Sequence, residues 1–330
     1  MKNILAYISL VLLFIGCDIH EFPTIIEKDN TIPVSVSLNF DTTLQLHNEM
    51  TYASGRIIST KFDTEAHDIR YIVKVYSADS RSKSGEEFQT FVFTKSDVSD
   101  VSNTLTLRLD EGDYIFRVWV DYVDPGSQED KYYITSDFSE IILANRDPHI
   151  GSTPFRDAFY GSAAITVAKD SENQADINME RPMGKFRFIS TDHDIFMQTM
   201  ADKGISADLN DFTVVFNYNL FMPCSFNAIE DMTADSWQGV TFTSKMTMTE
   251  DNELKLGSDY IFVNTRGTTL SVSTAVYDKN GILVASSSAI DVPIIRNGLT
   301  VVQGDFLTSK SSGGISVSTE YEGNFNIEIK

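Results

Sequence analysis

From residue 34 onward, apolar and polar residues alternate with a period of two. Val34, Val36, Leu38 and Phe40 interleave with Ser35, Ser37 and Asn39, so one side of this segment faces a core and the other faces water. The same alternation sets Ile69, Tyr71, Val73 and Val75 against Arg70 and Lys74, and Leu105, Leu107 and Leu109 against Thr104, Thr106 and Arg108. Tyr114, Phe116, Val118, Val120 and Tyr122 form the longest such face. Later runs are Val214, Phe216, Tyr218, then Val240, Phe242, Met246, Met248, then Leu270, Val272, Val276. Repeated alternation broken by Gly, Asp and Asn turns predicts an all-β chain of antiparallel sheets with one wet face, stacked as sandwiches. Helix is scarce. One short helix is expected from about Asp192 to Ala201, with Asp192 and Asp194 as caps, and a helical turn over Pro154–Phe159, where Pro suits the first position.

A chain of 330 residues exceeds what one hydrophobic core usually serves, so two domains are expected. Asp113, Tyr114, Ile115, Phe116 recurs as Asp259, Tyr260, Ile261, Phe262, each copy preceded by a Leu and a Gly. That match suggests two related sandwiches. Arg181, Pro182, Met183, Gly184 interrupt two strand-like runs and mark the boundary, giving an N-terminal sandwich over 31–180 and a C-terminal one over 181–330.

The first residues follow another pattern. Lys2 precedes an apolar run from Ile4 to Ile15, broken only by Ser9, and then come Gly16 and Cys17. A run this short does not span a bilayer, which takes ~20 apolar residues; it reads as a secretory signal over 1–16. Leu13, Phe14, Ile15, Gly16, Cys17 resembles a bacterial lipobox, in which a small residue precedes a Cys that is acylated and becomes the mature N-terminus. Cys17 is therefore the expected lipid attachment, 17–30 a lipidated tether, and the membrane a partner through that lipid. Acylation of Cys17 leaves Cys224 without a disulfide partner. It reads as a small buried filler, with no neighbouring His to make it a nucleophile.

The 26 Lys and Arg residues are outweighed by 47 Asp and Glu, for a formal charge of −21. Nucleic acid is excluded as a partner, because phosphate neutralisation needs surplus cations. No phosphate-binding loop, dinucleotide fingerprint or nucleophile elbow occurs. His20, His47, His67, His149 and His193 form no ligand-spaced pair, and no Asx-rich calcium loop is present. No enzyme activity, cofactor or metal site is expected.

Several stretches resemble the fimbrillin-like lipoproteins of Bacteroidales, which include pilus subunits, pilus-anchor and accessory proteins, and members of undefined function. They are Cys17 to Glu21, Val118 to Val123, Arg156 to Gly161, Arg181 to Lys185 and Leu299 to Thr308, in the family's order. The resemblance implies two tandem transthyretin-like β-sandwiches, a non-enzymatic role, an outer-membrane lipid anchor and surface display in a fimbria-like adhesive assembly. Asp18 and Glu21 weakly match the acidic segment that favours surface display. Shaft-forming relatives are cleaved at an Arg in a loop after the first strand. Arg56 stands in roughly that region, although an Arg in an exposed loop is more commonly a solvated charge; without cleavage the lipid stays on the folded body. Polymerising relatives also use C-terminal strands to complete a partner's sheet. Phe325, Ile327 and Ile329 are the corresponding segment, against the simpler reading that a hairpin at Gly323 and Asn324 closes the chain's own domain.

The competing class is a surface glycan-binding lipoprotein. Its candidate contact is Trp119, which shares a strand face with Arg117 and Asp121, opposite Tyr114 and Phe116. Sugar platforms need exposed aromatics; the alternative is that Trp119 packs under a covering loop or the other domain.

Overall fold

The alternating segments are strands in a computed structural model of the protein. It describes residues 31–40, 50–53, 56–59, 67–78, 87–96, 103–205, 208–249, 253–308, 316–320 and 326–328, without the side chains of 50–59 and 316–328. Val34, Val36 and Leu38 are buried on strand Ile32–Phe40 while Asn39 faces out. This strand lies between Asn103–Leu109, antiparallel, and Gln174–Met179, parallel. The facing sheet runs in the order Phe159–Val167, Gly112–Val123, Asp68–Ser77, Glu87–Lys95. The second half repeats this plan. Met183–Ser190 lies between antiparallel Leu254–Phe262 and parallel Leu299–Gly304. Opposite it, Thr268–Tyr277 pairs with Thr213–Tyr218 and Ile290–Ile294. The fold is all-β, with two tandem sandwiches of transthyretin-like type. Each has one parallel pair, because the last strand crosses from the facing sheet and returns beside the first.

The Asp-Tyr-Ile-Phe match is not the trace of this duplication. Its first copy lies on Gly112–Val123, the centre of a facing sheet, and its second on Leu254–Phe262, which corresponds instead to Asn103–Leu109. Asp113 is exposed, whereas Asp259 is buried. The repeat is a matter of strand order, which pairwise sequence identity does not carry.

The helix is His193–Asp202, and Pro154–Arg156 forms a single 3₁₀ turn with Pro at its start. Asp192 stands at the N-cap position but makes no side-chain cap bond. Its carboxylate instead accepts from the Leu307 N–H at 3.0 Å, the Thr308 N–H at 2.6 Å and the Thr308 hydroxyl at 2.7 Å, fastening the turn that follows Leu299–Gly304.

The expectation that Arg70 and Lys74 lie on a wet face is corrected. Strand Asp68–Ser77 is buried on both sides, because the connection 124–158 crosses its outer face. That connection brings Tyr133, Phe138 and Ile141 into the core. It also supplies polar partners: Arg70 donates to the Gln128 carbonyl at 2.8 Å and to Asp130 at 2.9 Å, and Lys74 to the Ser136 carbonyl at 2.6 Å. Buried cations are tolerated only when so partnered. The connection also joins the two halves, since Ile141–Leu143 pairs with Tyr133–Ile134 and with Ser225–Asn227. Residues Ile32–Lys330 accordingly form one compact unit, and one hydrophobic cluster runs through both sandwiches.

Gly184 sets the approach of the turn between Ile290–Ile294 and Leu299–Gly304. A Cβ there would lie 2.2 Å from the Ile295 carbonyl oxygen and 2.7 Å from the Ile294 side chain, so the backbone itself would have to move. Gly184→Ala is expected to destabilise by about 1–3 kcal/mol, seen as a lower urea midpoint. An unchanged midpoint would show that this packing tolerates a methyl group.

Candidate functional site at the junction of the sandwiches

Two ion-pair clusters hold the junction. Arg156, from the 3₁₀ turn, reaches across to Asp259 on Leu254–Phe262. Asp259 also accepts from the Tyr218 hydroxyl at 2.5 Å and bonds His149 Nε2 at 2.8 Å. Arg156 further donates to the carbonyls of Ile150 at 3.1 Å and Tyr260 at 3.2 Å. Burial alone would push the Asp259 carboxyl up, but Arg156, then His149 and Tyr218, hold it below the usual carboxylate range. Tyr218 is correspondingly pushed well above a normal phenol by burial and by that carboxylate. The second cluster is a fork in which Arg181 Nε and Nη2 donate to the two oxygens of Asp157 at 2.5 and 2.8 Å, a bidentate pairing of the strong kind. Thus the Arg156 to Gly161 and Arg181 to Lys185 stretches, singled out by resemblance, meet in space.

Beside the fork lies a cleft of about 310 Å³. One wall is the paired ends of two parallel strands, where Asn39 stands opposite Asn178 and Phe40 opposite Met179. The other is the turn carrying Arg296 and Asn297. Asn297 adopts a left-handed backbone, φ 59°, which Asn tolerates better than most residues. Its side-chain oxygen accepts from Arg181 Nη1 at 2.8 Å. Arg296 donates to Asp231 at 2.6 Å and to the Val263 carbonyl at 3.2 Å. Its side chain is about nine-tenths buried and its Nε has no hydrogen-bond partner among the described residues. Sequence reasoning missed this cleft. Its Asn side chains sit on ordinary wet faces, and only the register between strands far apart in sequence brings them together.

Trp119 is not an exposed platform. Its side chain is fully buried, packed edge-on against Tyr133 of the covering connection at 5.3 Å and against Phe262 of the second sandwich at 6.5 Å. Its indole N–H donates to Asp121 at 3.1 Å, and Asp121 in turn takes Arg70 at 2.9 and 2.6 Å. The covering connection leaves no face of this ring for a sugar. Cys224 is buried too, and burial, ahead of the nearby Asp235 charge, pushes its thiol up to about 12, the state of an inert filler.

Cys17, Phe325 and Ile329 lie outside the described residues. Arg56 opens strand Arg56–Ser59, paired with Met50–Ala53, and Ile327 lies on Asn326–Glu328. That last strand pairs with Ser316–Glu320, itself paired with Leu299–Gly304. Among the described residues no group of three His, Cys, Asp or Glu side chains is arranged to hold a metal, and no helix is long and apolar enough to cross a membrane.

The body is two fused β-sandwiches joined by buried ion pairs. Residues 28–330 match the Family of unknown function (DUF6562), and the chain belongs to that family. Among solved structures it is similar to a candidate polysaccharide-binding protein (DUF1812) from Bacteroides thetaiotaomicron, at 11% identity, TM-score 0.50, over 90% of this chain and 98% of that one. It is also similar to the fimbrial anchor protein Mfa2 of Porphyromonas gingivalis (9%, TM-score 0.42, 90% and 99% covered) and to a fimbrial assembly protein of Parabacteroides distasonis (13%, TM-score 0.40, 91% and 99%). The first of these likenesses shows the shared fold. No curated protein matches the chain.

Proposed function

We propose that this protein is anchored by lipid to the outer membrane, displayed at the cell surface, and serves as an anchor or accessory component of a fimbria-like adhesive assembly. The observation that carries the reading is the Leu13 to Cys17 lipobox followed by a two-sandwich body with fimbrillin-like motifs. In this reading residues 1–16 are removed, 17–30 tether the body, and the sandwiches occupy 31–180 and 181–330. Several acyl chains on Cys17 would hold the protein durably where one chain would not. Fimbrial subunits would be met by main-chain pairing at a sheet edge, with Phe325, Ile327 and Ile329 as the candidate segment and Arg56 as the candidate protease-sensitive position. The reading assigns no catalytic step and no cofactor.

Co-purification tests it: the protein is expected to travel with a filamentous polymer sheared from outer membranes. Recovery only as a free species, with no polymer subunit attached, would contradict the assembly role. A second reading, a glycan-capture lipoprotein, no longer has Trp119 to support it. The cleft beside Arg181 is what favours it.

A further inference from the structure

We propose that the cleft between the ends of strands Ile32–Phe40 and Gln174–Met179 and the Arg296–Asn297 turn is a binding site for a neutral saccharide of one or two rings. The inference is independent of the fimbrial role and requires only the folded body.

The first support is the set of free polar groups. Asn39 and Asn178 are register partners on an exposed face, so their carboxamides project side by side, and neither makes a side-chain hydrogen bond among the described residues. Asn297 uses its carbonyl oxygen on Arg181, leaving its amide donor. Carboxamides offer both donors and acceptors, which is what a ring of hydroxyls requires.

The second support is charge. Both guanidiniums in the cleft are already neutralised, Arg181 by Asp157 and Arg296 by Asp231, and Glu180 also lines it. An anion would meet no surplus positive charge, and the single surplus negative charge, on Glu180, is exposed to water. A neutral polar ligand is opposed by neither.

The third is shape. A cleft of about 310 Å³ lies at the small end of ligand sites, which run ~300–1,000 Å³, and the half-buried Phe40 gives it an apolar element. A peptide strand is a poorer match, because such recognition uses a row of open main-chain groups. Strand Ile32–Phe40 is paired on both sides over Ser35–Leu38, and only Asn39 and Phe40 at its end have no partner on Asn103–Leu109, too short a row for that mode.

Isothermal titration of the full chain, purified in a detergent that contains no sugar, tests the assignment. The probes are maltose, cellobiose and lactose, with glucuronate and an acetylated tetra-alanine peptide as alternatives. At least one neutral disaccharide is expected to bind, and Asn39→Ala with Asn178→Ala to weaken it tenfold or more. Both side chains are exposed, so the double variant should keep the wild-type melting curve. No neutral sugar binding at millimolar concentration, binding unchanged in the double variant, or a preference for the peptide or glucuronate would each overturn the proposal.

Discussion

Replacing Asp259 with alanine is expected to destabilise the protein by about 3–5 kcal/mol, the cost of stranding a buried charge. The side chain is 1% exposed, and four groups converge on it: Arg156, His149, Tyr218 and the Tyr260 N–H at 2.8 Å. Alanine leaves the Arg156 guanidinium in the interior with the Ile150 and Tyr260 carbonyls and the His149 ring, but without its carboxylate. Domains of ordinary stability hold ~5–15 kcal/mol, so a large part would be gone. Urea unfolding followed by near-ultraviolet circular dichroism measures it; a loss below about 1 kcal/mol would show that the pair is solvated after all. The charge itself is read from pH. Unfolded, Asp259 titrates near ~3.9; folded, its value is lower. The stability it contributes is therefore complete above the unfolded value and is lost as pH falls through the folded one. The gap in stability between wild type and Asp259→Asn should narrow on acidification below about pH 4.

Trp119→Ala carries the second large expectation, a loss of about 3–5 kcal/mol for truncating a fully buried Trp. The ring fills the space between the first sandwich, the covering connection and Phe262 of the second. The loss should therefore be accompanied by weaker protection of the 124–158 amides in hydrogen exchange. Trp119→Phe keeps part of the packing but removes the donor to Asp121 and part of the ring volume, so it should cost less than the alanine variant and more than about 1 kcal/mol. A stable Trp119→Ala variant would mean that the covering connection stands without it.

Both residues show where the sequence was legible and where it was not. Strand positions such as Val34, Val36, Leu38 and Leu105, Leu107, Leu109 follow directly from alternation, because a sheet with one wet face imposes a period of two. Arg70 and Lys74 obey the same alternation, which by itself places them in water. What buries them is a connection some fifty residues or more away in sequence, and no local pattern reports that a loop will cross a sheet face. The two-fold plan of the sandwiches was inferred correctly in kind from an Asp-Tyr-Ile-Phe match that turns out to join strands of different position. The Asn39–Asn178 pair was illegible for a related reason: parallel register is fixed by the whole crossover and not by either strand. Asp192 was recognised as a capping carboxylate, yet it caps the Leu307–Thr308 turn and not its own helix.

The central claim is that the folded body is held at the membrane by acyl chains on Cys17. Intact-mass and peptide mass spectrometry of the protein taken from outer membranes tests it most directly. The account predicts a mature chain that begins at Cys17 and carries the mass of its acyl groups, with residues 1–16 absent and Cys17→Ala retained as unprocessed precursor. A mature N-terminus at any other residue, or an unmodified Cys17 in membrane-bound protein, would contradict it.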